Sequence, residues 1–349
     1  MENRVLVTFA VAAYNAEATL ESCLRSFLHA DVLGRIEVLV VSDGSTDRTE
    51  KIVKRFVNES PDTFRLLVQE NRGHGGALNT AAAAARGKYF RPIDADDWVC
   101  TENLPQYIAA LAETKADTVV TSYCTVHQKT GKIQEFNCSC SQAGYDLMLP
   151  ELLTVFDQVH TCLTFHGLSY RTDFYRSCGF SLSEKVFYED QEYASLPFLS
   201  VRTVRLVPLL LYRYRIGDAN QSVAAHNQVK RIGQIEQVTL RIAHDWNACD
   251  YPAPGGRDFV LRKLATVAVS YHVTALLRNP NRREGCEQSM RFEQTLARVA
   301  PDVNRLAARK LKTLRFFHRI HLSPILYQRL LDSRLYGVVR GWWRGGGTS

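Results

Sequence analysis

The chain has 349 residues, enough for one large α/β domain and a smaller appendage. Hydrophobic residues make up 46 % and charged residues 23 %, a balance that excludes a disordered or fibrous protein. Nine scattered cysteines lack paired CxxC spacing, which excludes a structural zinc site and indicates reduced thiols. No apolar run reaches the roughly 18–20 residues of a membrane span, and no signal peptide is evident, so we expect a cytoplasmic protein.

The first hundred residues alternate between strand and helix patterns. The helical segment after residue 15 places Asn15 as a predicted cap, and Ser45 or Thr46 is predicted to cap the next helix. Alternation at this spacing predicts βαβ units and a mainly parallel sheet flanked by helices. The predicted strands are Arg4–Ala13, Ile36–Val41, Phe64–Val68 and Tyr89–Ile93, and Gly75–Arg86, which contains five consecutive alanines, is a predicted helix.

The predicted secondary structure changes twice in the rest of the chain. Residues 116–136 show an antiparallel pattern with a hairpin turn at Thr130-Gly131-Lys132. From about Asn227 onward the patterns are helical, and the longest apolar stretch, Leu264–Leu277, is predicted to be a buried helix. We therefore divide the chain into a domain of residues 1–225 and a basic, mainly helical region of residues 226–349.

The net charge of +7 is concentrated in the C-terminal region. From Arg257 onward there are 18 Lys and Arg against 6 Asp and Glu, which leaves residues 1–256 with a net charge of −5. Such a region can contact nucleic acid, an anionic membrane or a phosphate-bearing substrate, or can be a solvated helical surface. Cations alternate with Leu and Phe over Arg309–Arg319, and Trp342 and Trp343 lie near the end. We predict peripheral contact with an anionic membrane there, and no nucleic acid.

Four polar loops follow the predicted strands. They contain Asn15, Asp43, the Asn71–Gly76 turn and Asp94–Asp97. Because ligands bind at the carboxyl ends of parallel strands, these loops are predicted to form a site. The Asp94–Asp97 cluster carries the strongest indication, since adjacent carboxylates after a buried strand favour a divalent cation such as Mg²⁺ or Mn²⁺. The alternative is that Asp96 or Asp97 caps a helix beginning near Glu102.

Two of the other three loops contain Asp43 and the Gly-rich segment. Asp43 with Gly44 behind it can offer a carboxylate to a base or ribose, or can belong to a turn and cap. In the Glu70–Asn79 segment, glycines let backbone amides approach an anion, and the Arg72 guanidinium can donate two parallel hydrogen bonds to a phosphate. The segment matches neither GxxxxGK[ST] nor a complete GxGxxG, so a P-loop or dinucleotide site is not supported.

Taken in order, these segments resemble the family-2 glycosyltransferases, inverting enzymes with a GT-A fold. The matching stretches are Val11–Glu17, Glu37–Asp47, Glu70–Asn79 and Asp94–Asp97. The resemblance is close over residues 4–105, looser to about Ser222 and absent beyond. It implies a nucleotide-sugar half at residues 1–115 and an acceptor half at residues 116–225.

The resemblance also implies roles for individual residues. The donor nucleotide is expected on Ala13, the Tyr14–Asn15 turn, Asp43, Arg72 and Gly73. Asp94 and Asp96 form the implied DxD motif, with Asp96 on Mn²⁺ or Mg²⁺ and Asp94 toward the ribose. In Val186–Glu192, which looks like the acidic acceptor motif, Asp190 is the expected general base and Glu189 the alternative; a helix N-terminus enriched in acids is the simpler interpretation. Arg213 or Arg215 is expected to close over the diphosphate, and either can instead be an ordinary strand residue.

The predicted function is transfer of a sugar from a nucleotide diphosphate, by resemblance UDP, to an acceptor. A glycan or lipid-linked acceptor in cell-surface polysaccharide synthesis, at the inner face of the plasma membrane, is an expectation from the resemblance alone. Two alternatives remain. A sugar nucleotidyltransferase would carry a Gly-rich, Arg-containing loop after strand one, where this chain has Ala12-Ala13-Tyr14-Asn15. A non-catalytic scaffold with a nucleic-acid- or membrane-binding tail would have no need of clustered acids.

Overall fold

The computed structural model describes residues 5–218, 221, 224–323 and 326–327. The chain divides into two compact units, the first of Met1–Ala219 with Cys249–Val260 and the second of Asn220–Ala248 with Leu261–Ser349. Trp342 and Trp343, singled out for membrane contact, lie outside the described residues.

The first unit is built on a single sheet with the order β3-β2-β1-β4-β9-β6-β10-β5. Strands β1 to β4 pair in parallel, as predicted, and the sheet becomes mixed beyond β4 because β9 runs antiparallel to both β4 and β6. The strands are β1 (Val7–Ala13), β2 (Ile36–Asp43), β3 (Phe64–Gln69), β4 (Tyr89–Asp94), β5 (Trp98–Val99), β6 (Thr118–His127), β7 (Ile133–Phe136), β8 (Asp146–Met148), β9 (Leu168–Arg171) and β10 (Thr203–Ile216).

Helices cover this sheet and connect its strands. Small side chains let α3 approach β1 and β2 closely, and Gly75, Ala77 and Ala81 are buried there. The helices are α1 (Leu20–Arg25), α2 (Thr49–Glu59), α3 (Gly73–Ala84), α4 (Leu104–Glu113), α5 (Leu149–Thr154), α6 (Phe156–Val159), α7 (Thr172–Ser177) and α8 (Asp190–Tyr193), with short 3₁₀ turns at Ala30–Val32, Thr101–Asn103 and Leu196–Leu199.

The later part of the chain is helical, as its periodicity predicts. Its helices are α9 (Ala225–Lys230), α10 (Ile232–Ala248), α11 (Gly256–Val273) continued by a π-helical turn at Thr274–Arg278, α12 (Arg282–Val299) and α13 (Pro301–Arg319). Within the described residues, one helical stretch, Gly256–Arg278, is long and apolar enough to cross a membrane, with a mean hydropathy of 1.2. Because 72 % of its apolar 18-residue window is buried inside the protein, it has the character of a core helix.

The predicted caps of the first two helices are wrong. Helix α1 begins at Leu20, and Asn15 instead adopts a left-handed backbone (φ 48°) and accepts a hydrogen bond from the Thr46 N–H at 2.8 Å. Helix α2 begins at Thr49, whose N–H is bound by Asp47 Oδ1 at 2.9 Å. The polar side chains at these positions join the loops after β1 and β2 to each other, so they are not available to cap the helices.

The hairpin prediction is confirmed. Strands β6 and β7 pair antiparallel, with Val126 opposite Ile133. Gly131 has a φ of 67°, and no atom lies within 4 Å of where its Cβ would be, so the turn requires glycine for its backbone conformation and not for space.

Candidate functional site

The loops after β1 and β2 form one end of the candidate site. Asn15 N–H donates to Ser45 Oγ (3.2 Å), and Ser45 Oγ in turn donates to the carbonyl of Ala13 (3.3 Å). Tyr14, between them, is 57 % exposed. The side chains predicted to meet a nucleotide therefore lie at the carboxyl end of β1, with the aromatic ring of Tyr14 open to solvent.

Asp43, the last residue of β2, is buried and joins this loop to the Gly-rich segment. Its Oδ1 accepts hydrogen bonds from Gln69 Nε2 (2.7 Å) and from the Arg72 N–H (2.8 Å). The carboxylate thus organises the turn that leads into α3. Asp43 lies at the carboxyl end of β2, as predicted from the sequence. The structure adds that one of its carboxylate oxygens already accepts two hydrogen bonds.

Arg72 and Gly73 contact a distant loop of the same unit. The Arg72 guanidinium forms a two-bond ion pair with Glu184, with Nε 3.0 Å from Oε2. Gly73 has a φ of 78°, and a Cβ there would lie 2.7 Å from the backbone nitrogen of Lys185. In this structure both residues therefore hold the 182–185 segment, which the sequence did not indicate.

The carboxylates after β4 connect to β10. Asp97 is fully buried and accepts from Tyr212 Oη (2.6 Å) and from the Arg215 N–H (2.7 Å). Burial, and then the charges of Asp94 and Asp96, raise the pKa of Asp97 well above its usual value. The 3₁₀ turn Thr101–Asn103 begins after Cys100 and α4 begins after Asn103, so the alternative in which Asp96 or Asp97 caps a helix near Glu102 is wrong. The oxygens of Asp97 accept from β10.

The two arginines of β10 have different surroundings. Arg215 donates from Nε to the carbonyl of Asp96 (2.7 Å), and its guanidinium lies 5.0 Å from the centre of the Trp98 ring. Arg213 instead contacts Cys100 Sγ and Glu102 Oε1, both at 3.2 Å from Nη2. Of the two, Arg215 is the one that lies directly against the Asp94–Asp97 loop.

A histidine brings the two acidic motifs together. His74, the second residue of α3, places Nε2 3.0 Å from Asp94 Oδ1 and Nδ1 2.5 Å from Glu189 Oε1. Burial lowers the pKa of His74, but interactions with the two carboxylates outweigh that effect and raise the pKa well above its usual value. Nδ1 is hydrogen-bonded to Glu189, whereas Nε2 faces Asp94 as an ion pair without the geometry of a hydrogen bond. Sequence reasoning missed this residue, whose one signal was its position within the Gly-rich loop.

Glu189 and Asp190 differ in their surroundings. Glu189 is buried against His74, whereas Asp190, the first residue of α8, is only half-buried. Burial, and then the charges of Glu189 and Asp94, raise the pKa of Asp190 to about 6. Tyr188, just before the pair, has a left-handed backbone (φ 74°), the kind of local strain found at functional sites. A carboxylate with a pKa near neutrality can accept a proton effectively at physiological pH.

The candidate cation ligands in the described residues form a compact group. Oxygens of Asp94 and Asp97 and a ring nitrogen of His166 all lie within 4.8 Å of one another. Burial lowers the pKa of His166 to about 4, so its ring is neutral, and it stacks on Tyr214 with the ring centres 4.3 Å apart. Asp96, predicted as the metal ligand, lies outside this group, half-buried in the same loop. Clustered carboxylate oxygens of this kind fit a hard divalent cation.

Comparisons with known proteins agree with the fold. The sequence model of "Glycosyl transferase family 2" matches residues 8–186. EpsH of Bacillus subtilis (strain 168) is 28 % identical over 217 residues, which cover 60 % of this chain and 60 % of EpsH. The chain therefore spans about three fifths of the length of that relative.

Two solved structures share the architecture. Residues 1–349 of TarS from S. aureus, in complex with UDP-GlcNAc, match with a TM-score of 0.63 at 18 % identity, covering 90 % of this chain and 88 % of that chain. The mannosyltransferase PcManGT from Pyrobaculum calidifontis, in complex with GDP-Man and Mn²⁺, matches with a TM-score of 0.52 at 18 % identity, covering 91 % and 82 %. The predicted GT-A fold with a helical C-terminal region is confirmed.

Proposed function

Because the chain belongs to glycosyl transferase family 2, we propose that it is an inverting glycosyltransferase that moves a sugar from a nucleotide diphosphate to a hydroxyl acceptor. One observation carries the proposal. His74 joins Asp94, at the end of β4, to Glu189, next to Asp190, so that the two acidic motifs share one site. A scaffold has no need for a cluster of buried and half-buried carboxylates such as Asp94, Asp97, Glu189 and Asp190, because such clustering costs electrostatic free energy.

The proposed reaction is a single displacement. Asp190 takes the proton from the acceptor hydroxyl while the oxygen of that hydroxyl attacks C1 of the donor sugar. The bond from C1 to the diphosphate breaks on the opposite face, which inverts the configuration at C1. A base with a pKa of about 6 is ionised at neutral pH and still basic enough to assist this transfer.

Donor binding is assigned to the rim of β1 to β4. We propose that Ala13, Tyr14, Asn15 and Asp43 contact the nucleoside, and that the backbone around Gly73 and the Arg215 guanidinium lie near the diphosphate. Asp94 and Asp96 would hold Mn²⁺ or Mg²⁺, which stabilises the charge that develops on the leaving diphosphate. Arg72 and Arg213 can reach an anion only if their contacts with Glu184 and Glu102 open.

The remaining assignments follow from the family resemblance. We propose residues 1–115 as the donor half, residues 116–225 as the acceptor half and residues 226–349 as an accessory region. UDP-sugar is the proposed donor, and a glycan or lipid-linked acceptor in cell-surface polysaccharide synthesis is the proposed acceptor. TarS was solved with UDP-GlcNAc and PcManGT with GDP-Man, so both nucleotides belong in a test.

The test is a donor panel. Purified protein with Mn²⁺ or Mg²⁺ is mixed with UDP-, GDP- and dTDP-sugars, and melting temperature and release of nucleoside diphosphate are measured. We expect one donor to raise the melting temperature in a metal-dependent way and to be slowly hydrolysed. Pyrophosphate release from a nucleoside triphosphate and a sugar 1-phosphate would instead indicate a nucleotidyltransferase. Salt-dependent nucleic-acid binding without donor turnover would support the scaffold alternative.

We also propose that the exposed face of α13 rests on an anionic membrane at the inner face of the plasma membrane. This face carries Arg305, Arg309, Lys312 and Arg319 along one side of the helix, with Phe316 between them 55 % exposed. Leu306, which follows Arg305 in the helix, is 51 % exposed. Interleaved cations and apolar side chains match the charge and the acyl boundary of an anionic bilayer.

Vesicle sedimentation tests this surface. The full chain should sediment with vesicles containing phosphatidylglycerol at low salt and remain in solution with phosphatidylcholine vesicles. Each basic residue near the surface contributes about 1 kcal/mol, so Lys312→Glu with Arg309→Glu should weaken binding by about 10-fold or more. Lys51→Glu with Lys54→Glu, on α2, is the matched control and should bind as wild type. Equal binding by both double variants, or no binding to anionic vesicles, would contradict the proposal.

A further inference from the structure

His74 has no role in the reaction as described above, yet it contacts both acidic motifs of the candidate site. Its ring bridges Asp94 and Glu189, whose positions in the chain are 95 residues apart, and it lies 5.7 Å from the ring centre of Phe165. A half-buried histidine with a carboxylate on each nitrogen is held in one orientation, since rotation would break both contacts.

The backbone around His74 is fixed by the 182–185 segment. Lys185 N–H donates to the carbonyl of Arg72 (3.1 Å), and Asn79 makes two hydrogen bonds to the backbone of Leu182, both at 2.9 Å. A Cβ on Gly75 would lie 2.2 Å from the carbonyl oxygen of Ser183, so only glycine allows this approach. The first turn of α3, which carries His74, is therefore clamped to the segment that leads into Glu189.

The same segment is tied to α8 from its other side. Ser183 donates from its N–H (2.8 Å) and from Oγ (2.6 Å) to the fully buried carboxylate of Glu192. With α3 and α8 both attached to residues 182–185, the Nδ1 contact of His74 fixes the side chain of Glu189. Asp190 is the carboxylate of the pair that remains half-exposed.

We infer that His74 is a positioning residue for sugar transfer: it holds Glu189 on the donor side and thereby leaves Asp190 as the carboxylate that faces the acceptor. The inference rests on the proposed function. Without His74, the buried Glu189 loses its partner and must move toward solvent or toward Asp190, because an unpaired buried carboxylate is costly. Removing His74 would therefore lower turnover much more than donor affinity, because the residues proposed to contact the nucleoside lie at the ends of β1 and β2.

Substitutions can separate the two contacts of the ring. The amide nitrogen of Asn can occupy the place of Nδ1 and keep the hydrogen bond to Glu189, whereas that of Gln can occupy the place of Nε2 and keep the contact with Asp94. His74→Ala removes both. His244→Ala, at an exposed histidine of α10, controls for the loss of a histidine elsewhere.

The experiment measures hydrolysis of the donor that wild type accepts, with melting temperatures to confirm folding. We expect His74→Ala to lower kcat by about 10- to 100-fold with donor KM within about threefold, as for other residues that orient a reactive group. His74→Asn should recover most of kcat and His74→Gln less. In a double-mutant cycle of melting temperature, His74→Ala and Glu189→Gln should be non-additive.

Four outcomes overturn the inference, and one of them also concerns the function. Wild-type kcat in His74→Ala, or a His74→Asn variant as slow as His74→Ala, would exclude the positioning role while the glycosyltransferase proposal stands. Additive melting changes would show that the ring and Glu189 are not coupled. A folded wild type that turns over none of the donors would overturn the proposed function together with the role of His74 in it.

Discussion

Replacing Asp190 with Asn should abolish sugar transfer, lowering kcat by about 10²- to 10⁴-fold, the usual contribution of a general base. The substitution keeps the shape of the side chain and removes only its ability to take a proton. Donor binding should persist, because Asp190 begins α8 and the predicted nucleoside contacts lie at the ends of β1 and β2. The measurement is turnover of the accepted donor beside its effect on melting temperature.

Glu189→Gln is the control for this assignment. It removes the neighbouring charge but leaves the proposed base, so it should lower kcat less than Asp190→Asn does. If Glu189→Gln is inactive and Asp190→Asn retains activity, the roles are reversed and Glu189 is the base. The structure favours Asp190, because Glu189 is buried and engaged by His74.

The dependence of activity on pH provides an independent check of the base. The pKa of Asp190 is raised to about 6 by burial first and then by the charges of Glu189 and Asp94. The proposed base acts when deprotonated, so kcat should be constant above about pH 7 and fall about tenfold per unit below about pH 6. Glu189→Gln removes one negative neighbour, which lowers the pKa of Asp190 and should move the acid limb to lower pH. If kcat of Glu189→Gln falls at the same pH as kcat of wild type, the assignment of Asp190 as the base is contradicted.

Replacing Asp96 with Asn should remove the effect of metal on donor binding. We expect activity to fall by about 10³-fold, because a bound cation contributes several kcal/mol of transition-state stabilisation. The fold should survive, since Asp96 is half-buried and losing its charge relieves repulsion with Asp94 and Asp97. The measurement is the shift in melting temperature that Mn²⁺ adds in the presence of the accepted nucleoside diphosphate.

His166→Ala distinguishes the two possible sets of ligands. If the cation binds Asp94 and Asp96 with the donor phosphates, His166→Ala should retain the metal-dependent shift. If it binds the compact group of Asp94, Asp97 and His166, the shift should disappear in His166→Ala and persist in Asp96→Asn. Asp97→Asn is less informative, because Asp97 holds Tyr212 and Arg215 and its loss disturbs β10.

The order of elements in the first hundred residues could be predicted from local patterns. Continuous apolar runs of strand length mark strands buried on both faces, and β2 is buried along its whole length. Polar residues directly after these runs must lie at the carboxyl ends of the strands, so Asp43 and Asp94 could be assigned to one rim. The hairpin of β6 and β7 followed equally from its Gly-containing turn.

The partners of the site residues could be decided only by the tertiary structure. Asn15 binds the loop after β2 and does not cap α1, Arg72 pairs with Glu184, and Asp97 bonds to Tyr212 of β10. His74 and Glu189 are 115 residues apart in the chain, and no periodicity relates them. Periodicity and turn chemistry report the conformation of a few neighbouring residues, whereas these contacts depend on how α3, the 182–185 segment and β10 pack against one another. Sequence alone determined which elements form and where the acids emerge, and packing decided which acid meets which partner.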